Sequence, residues 1–177
     1  MSIPGSASPL LFASVAAAPA GYQIDRSVRL NSADSAYFSR TPSSAGNRKT
    51  WTWSGWIKRS VLASQQAPFT SSDGVTATTA IYFSSTDKLV FYTDRGGAIT
   101  VETDGVLRDL SAWYHAVIAV DTTQATSANR VKIYLNGVQQ TLSGTYPAQN
   151  FETEVNRASF SHKIGGLTSS WLFNGYL

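Results

Sequence analysis

The chain contains no cysteine, which excludes a disulfide scaffold, a thiol nucleophile and any zinc site built on thiolates. Histidine is almost as scarce. His115 and His162 are the only two, and no H-x-x-x-H spacing occurs, so a multi-histidine metal centre has no ligands. Charged side chains make up 14 % of the sequence, against about 25 % in an average globular domain. Aromatic residues nevertheless reach 12 %, whereas a disordered solvating chain is charge-rich and aromatic-poor. No apolar run approaches the roughly 18 residues that a membrane helix requires, and no long helical period appears past residue 22. A G-x-S-x-G elbow that could anchor a serine triad is also missing. Gly96-Gly97 and Gly165-Gly166 open no helix, so they read as turns rather than phosphate loops.

The charge that is present carries little information about a partner. Fourteen Lys and Arg against 11 Asp and Glu leave a net charge of +3, and the densest basic clusters are the pairs Arg48-Lys49 and Lys58-Arg59. Nucleic-acid binding wants a stripe of such residues on one face, so neither nucleic acid nor membrane is an expected partner.

What the sequence does have is strand after strand. At 177 residues it is long enough for one all-β domain with a real core. Ser27–Asn31 alternates apolar and polar residues, the period of a half-buried strand, and residues 36–40 follow after a turn-prone stretch. Residues 41–49 read as a loop. Residues 50–58 place Trp51 and Trp53 on one face, with Gly55 marking a bulge or a close approach. Residues 80–84, 88–93 and 98–103 are further strands joined by hairpin-type turns. Residues 113–121 are apolar enough for a central strand. Residues 130–135 alternate strictly and end at Asn136-Gly137, the strongest short hairpin signal, after which 138–142 return. Residues 162–166 and 171–177 complete the series. Such spacing predicts a β-sandwich or barrel.

Residues 1–21 are different in kind. They carry no charge and hold half of the six prolines, while Ile3, Leu10, Leu11, Phe12 and Val15 are apolar. An uncharged apolar segment in water needs covering, and an added strand or a groove on a neighbouring subunit would supply it. The competing reading is a secretory signal, with Leu10 to Ala18 as the apolar region and Ala16, Ala18 and Ala20 near a cleavage point. Against it, no Lys or Arg precedes Arg26, and Pro9 stands where the apolar segment begins. The expected division is therefore a docking arm over 1–21 and a sandwich over 22–177.

The succession W-Y-H-A-V-I-A-V-D, a polar loop, then V-K-I-Y-L-N-G-V-Q resembles the concanavalin A-like, laminin-G and pentraxin group, through Trp113, His115, Tyr134, Asn136 and Gly137. Trp53 to Ile57 and Phe173 to Leu177 resemble two further strands of that group. The resemblance implies an all-β, concanavalin A-like (laminin-G-like) antiparallel jelly roll behind an extended N-terminal arm. It also implies that Leu177 stands where the last strand would begin, so a longer polypeptide is expected. More narrowly, the opening S-I-P-G-S-A-S-P-L-L and the block from Ser32 to Trp56 resemble tail-fibre or other tail-associated virion proteins of tailed bacteriophages. That resemblance implies a non-enzymatic structural protein located on the phage tail. Its partners would be other virion proteins, further copies of itself (a trimer favoured) and a host-surface glycan met during adsorption. A secreted or cell-surface lectin-like module is the alternative.

Chemistry-bearing patterns are sparse. Laminarinase-type enzymes of this group carry E-x-D-x-x-E, which sets two carboxylates about 5 to 5.5 Å apart in retaining enzymes. Here Glu102-x-Asp104 leads to Leu107, and Glu152-x-Glu154 leads to Arg157, so the third acid is missing from both and no catalytic residue is assigned. His115, in an apolar strand, reads as a hydrogen-bonded structural residue. Relatives bind Ca²⁺ at a sandwich rim through oxygen ligands. Asp73, Asp87, Asp94, Asp104 and Asp121 lie in expected loops, where Asp ordinarily serves turns, so no cofactor and no metal site is assigned. Of the five tryptophans, Trp53, Trp56 and Trp113 are expected in the core. Trp171, in a loop-like stretch, is the candidate glycan-stacking residue.

Overall fold

The computed structural model describes residues 26–75, 77–167 and 170–177. The expected arm, with Ile3, Leu10, Leu11, Phe12 and Val15, lies outside them. In chain order the described strands are β1 (Arg29–Leu30), β2 (Phe38–Arg40), β3 (Thr50–Arg59), β4 (Gln66–Ser72), β5 (Thr78–Phe83), β6 (Leu89–Thr93) and β7 (Ile99–Thr103). They continue with β8 (Tyr114–Asp121), β9 (Val131–Leu135), β10 (Val138–Gln139), β11 (Leu142–Gly144), β12 (Ser161–Ile164) and β13 (Gly175–Tyr176). Two sheets result, one ordered β1-β13-β3-β8-β9-β10 and the other β11-β7-β6-β5-β4-β12-β2. Their strands pair antiparallel throughout, so the fold is the expected all-β antiparallel two-sheet sandwich.

The period of two decides which residues meet between the sheets. Ile57, Ala116, Ile118, Val120, Val131 and Ile133 face inward from the first sheet, against Ile81, Phe83, Leu89, Phe91 and Val101 of the second. Fully burying a side chain such as Phe91 or Ile118 stabilises by about 1.5–3 kcal/mol. Trp51 and Trp53 do share the inward face of β3, reaching Phe91 and Phe69 at centroid distances of 6.2 and 6.4 Å. Gly55 marks a close approach rather than a bulge: β3 stays in register with β8 there, and an added Cβ would meet the Trp53 ring at 3.1 Å.

Two tryptophans expected in the core are not there. Trp56 has the opposite parity to Trp53, so it points out of the first sheet, half-buried, 5.0 Å from the His115 ring paired with it across β8. Trp113 is also half-buried, edge-on to Tyr176 at 6.3 Å. Asn136 and Gly137 both have positive φ, 50° and 81°, as a two-residue hairpin of primed type requires. The return strand then splits, because β10 pairs with β9 in one sheet while β11 pairs with β7 in the other. Gln66–Ser72 is a strand that the sequence reading omitted. Its Pro68 lies within the irregularity between Gln66 and Phe69, where a missing backbone donor is tolerated.

Candidate functional site

One end of the sandwich is closed by residues 150–160, and this plug carries a concentrated set of charges. Asn150 N–H donates to the Thr122 carbonyl at 2.7 Å and Thr153 N–H to the Arg48 carbonyl at 3.1 Å. Glu154 is then pinned to two neighbouring strands of the second sheet. Its N–H donates to Thr79 Oγ1 of β5 at 2.9 Å, and its carbonyl accepts from Ser71 Oγ of β4 at 2.7 Å. The Glu154 side chain has no solvent exposure, a placement that costs several kcal/mol for an unpaired carboxylate.

Three arginines from three loops answer that cost. Arg157 Nη1 lies 2.7 Å from Glu154 Oε2, Arg48 Nη2 lies 3.5 Å from the same oxygen, and Arg95 Nε lies 3.7 Å from Oε1. Arg48 also donates to Glu152 at 2.8 Å and to the Thr153 carbonyl at 2.8 Å. Asn47 sets the backbone that delivers Arg48, since its Oδ1 accepts from both Lys49 N–H and Thr50 N–H at 3.0 Å. Arg95 comes from the β6–β7 turn, and Arg157 lies 4.1 Å over the Phe160 ring. Burial pushes the Arg48 guanidinium below its ordinary value while Glu154 and Glu152 pull it back; it stays charged. Three cations against the two carboxylates Glu152 and Glu154 leave a net +1. The side chains of Arg95 and Arg157 are 44 % and 35 % exposed, so both reach solvent while ion-paired to Glu154, Arg157 at hydrogen-bond distance and Arg95 at the longer 3.7 Å, which leaves Glu154 Oε1 without a hydrogen bond.

A hollow of about 320 Å³ opens beside this rim, lined by Arg40, Pro42, Ser44, Ala45, Gly46, Asn156 and His162. His162 is held at both ring nitrogens, with Asn156 N–H donating to Nε2 at 2.8 Å and the Phe160 carbonyl 3.1 Å from Nδ1. That arrangement requires the neutral ring protonated on Nδ1. Burial lowers the His162 pKa, the Phe160 carbonyl opposes that shift, and Arg40 adds to it. A base with a depressed folded pKa contributes stability above its unfolded value of about 6.5 and loses it as pH falls below that value. The urea midpoint is therefore expected to drop between pH 7.5 and 5.5 in the parent and to drop less in His162→Gln. Equal slopes in the two proteins would refute this.

The residues singled out from sequence fall elsewhere. Trp171 is half-buried on the outer face of the second sheet, stacked on Tyr82 at 4.7 Å and edge-on to Tyr92 at 5.8 Å. One of its π-faces is thus already covered. Glu102 pairs with Lys88 at 2.8 Å, and Glu152 and Glu154 are tied to arginines, so neither sequence pattern presents two unengaged carboxylates.

Among the described residues, no group of three or more His, Cys, Asp or Glu side chains comes together to hold a metal. Asp94 accepts from Thr78 N–H and Asp121 from Thr123 N–H. Asp87 is no solvated turn residue but is buried against Arg59 at 3.0 Å. The plug cluster is not legible in the sequence, where Glu152 to Arg157 presents only a defective carboxylate motif. Arg157, three residues after Glu154, was the available sign of an ion pair.

The family model described as the concanavalin A-like lectin/glucanases superfamily, Laminin_G_3, matches residues 31–177. Curated proteins yield no match. Among solved structures, domains LG4-5 of the mouse laminin alpha1 chain are similar with a TM-score of 0.61 and 12 % identity, over 84 % of this chain and 36 % of that one. The chain thus spans about a third of that laminin structure. The CBM40 of the Ruminococcus gnavus IT-sialidase, bound to alpha2,6 sialyllactose, is similar with a TM-score of 0.57 and 11 % identity, over 80 % of this chain and 88 % of that one. At these identities the likeness is one of fold.

Proposed function

The chain belongs to the concanavalin A-like lectin/glucanases superfamily, and from that premise we propose that it is a non-catalytic binding module for acidic glycans. In this reading Arg95 and Arg157 take the glycan's carboxylate, and the hollow beside Asn156 takes its neighbouring hydroxyls. The observation that carries it is the rim itself: two half-exposed guanidiniums held over a buried Glu154, with net positive charge. A guanidinium fork matches a carboxylate with two parallel hydrogen bonds. The CBM40 structure, whose ligand is a sialylated sugar, supports the reading by analogy of fold. Neither the Glu102-x-Asp104 nor the Glu152-x-Glu154 pattern presents two unengaged carboxylates, which supports binding without cleavage.

The proposal places this module on a tailed-phage virion, as a tail-fibre or other tail-associated protein anchored by residues 1–21. It rests there on the apolar arm and on the sequence resemblance. A secreted lectin-like module would use the same rim and differ in losing its leader, so cleavage after Ala18 or Ala20, read by mass spectrometry, would favour it. Immunogold label on the tails of purified particles is expected on the virion reading, and unlabelled particles would end it.

The rim is tested by calorimetry of residues 22–177 with α2,6-sialyllactose and with lactose. Binding to the first and not the second is expected, with a loss of at least about tenfold in Arg95→Ala, since a truncated charge-assisted contact costs roughly 1.5–3 kcal/mol. Equal binding of both sugars, or of neither, would overturn the acidic-glycan reading.

A further inference from the structure

The turn that carries Glu154 and Arg157 is gripped by one side chain of the second sheet. Arg157 N–H donates to the Glu154 carbonyl at 3.3 Å, and the third residue of that turn, Asn156, has a φ of 61°. Ser159, at 65°, is left-handed as well. Left-handed backbone away from glycine persists where its surroundings impose it, and here much of the imposing is done by His162. β12 sets this residue opposite Ser71 of β4 on one side and Arg40 of β2 on the other, with the Phe69 ring 6.2 Å away. Its ring holds both ends of the segment from Asn156 to Phe160. Nε2 accepts Asn156 N–H at 2.8 Å, and Nδ1–H donates to the Phe160 carbonyl at 3.1 Å. Arg157 lies between those two anchors.

On the reading of this rim as an acidic-glycan site, we propose that His162 is the positioning residue for Arg157: its neutral ring holds the turn that aims the guanidinium, and its protonation releases that turn and weakens glycan binding in acid. The chemistry is a conflict of donors. A proton added at Nε2 would face Asn156 N–H at 2.8 Å, donor against donor. Ser71 Oγ, 3.4 Å from Nε2, is the acceptor within reach. Its own proton goes to the Glu154 carbonyl at 2.7 Å, which leaves its lone pairs available. Nε2–H then turns to Ser71, and Asn156 N–H loses its partner. The plug stays docked meanwhile, because Asn156 Nδ2 still donates to the Asn47 carbonyl and Gly46 N–H to the Asn156 carbonyl, both at 2.8 Å. The aim of Arg157, one residue on, is what changes. Arg40 faces the ring from β2, and Glu154 and Arg157 are the charged groups of the plug beside it. β4 presents the neutral Ser71 and Phe69, and residues 41–46 contain no titratable side chain. Burial lowers the His162 pKa, the Phe160 carbonyl opposes that shift and Arg40 adds to it, so the ring is neutral at pH 7.5 and charges below about 6.5.

Calorimetry of the full chain with α2,6-sialyllactose between pH 7.5 and 5.0 provides the test. Arginines and the glycan carboxylate stay charged over that range, and His115 is the only other histidine. The parent is expected to lose at least about threefold in affinity, and less than the roughly thirtyfold that a group of ordinary pKa, about 6.5, would give at pH 5.0. His115→Gln is expected to keep both the affinity and the slope. His162→Leu, which cannot accept from Asn156 N–H, should bind weakly at every pH. His162→Gln, which can, should bind between that variant and the parent, with a flat profile. In ligand-free protein the Arg157 side-chain NMR signals, shifted by the Phe160 ring 4.1 Å from the guanidinium, should move with the same midpoint as the His162 ring. Saturating glycan should lower that midpoint, as linkage requires. Binding at pH 7.5 with a flat profile in the parent, a slope that survives in His162→Gln, or Arg157 signals indifferent to the His162 titration would each overturn the inference and leave the acidic-glycan reading standing. Sialyllactose bound at no pH would overturn both.

Discussion

Asp87→Asn is expected to destabilise the sandwich by about 3–5 kcal/mol, the usual cost of leaving one partner of a buried ion pair without the other. Arg59 has no side-chain exposure and Asp87 only 5 %. The guanidinium donates to the Leu107 carbonyl at 2.8 Å and lies 4.4 Å over the Phe83 ring, while its Nε has no partner. Asp87 collects Arg59 Nη2 at 3.0 Å, Ala63 N–H at 2.8 Å and Arg108 Nε at 3.0 Å. Burial alone would raise the Asp87 carboxyl, but the Ala63, Arg108 and Arg59 hydrogen bonds hold it below the usual range. A carboxylate with a depressed folded pKa contributes stability above its unfolded value of about 3.9, lost as pH falls through the folded value. The parent should therefore lose stability in acid by a component that Asp87→Asn lacks. Arg108→Ala should cost less than about 1 kcal/mol, because that side chain is 61 % exposed and screened. Arg59→Met combined with Asp87→Asn should cost less than Asp87→Asn alone, since no unpaired cation then remains. Urea melts of the four proteins decide the matter, and a loss below about 1 kcal/mol in Asp87→Asn would show that water reaches Arg59.

The contrast between Asp87 and Trp53 shows what a sequence discloses about this fold. Trp51 and Trp53 were legible because alternation is a local, period-two signal, and Asn136-Gly137 because its positive φ values are demanded by the turn itself. Parity also held the answer for Trp56, three residues after Trp53 and hence on the opposite face, but its large apolar ring outweighed it in the reading. The strand at Gln66–Ser72 stayed hidden because Pro68 interrupts it, and only its pairing with β5 shows that the break is a register shift. Residues of the rim were illegible for a different reason. Arg48, Arg95 and Glu154 come from separate loops, and only the closure of the sandwich brings both arginines within 4 Å of Glu154. Asp87 likewise has the turn geometry expected of it, with φ of 66°, yet its partner Arg59 lies 28 residues away.

Glu154→Gln should be the second large effect, again about 3–5 kcal/mol, because it leaves three guanidiniums around a buried neutral amide. Shape is conserved in this variant, so the loss measures charge: the cluster goes from net +1 to net +2, with only the half-exposed Glu152 still opposing it. Part of the loss should return at high salt, where screening acts on Arg95 and Arg157 at the surface, and more should return when Arg157→Gln is added. The glycan readout separates stability from recognition. If Glu154 is the base that fixes the two exposed guanidiniums, folded Glu154→Gln protein should bind α2,6-sialyllactose more weakly than the parent despite its extra positive charge, because a wandering side chain must be ordered on binding. Tighter binding would mean that net charge governs the site and preorganisation does not. A destabilisation below about 1 kcal/mol would mean that Arg95 and Arg157 swing into water when their anion is gone, and the rim would then lack the fixed geometry on which carboxylate recognition depends.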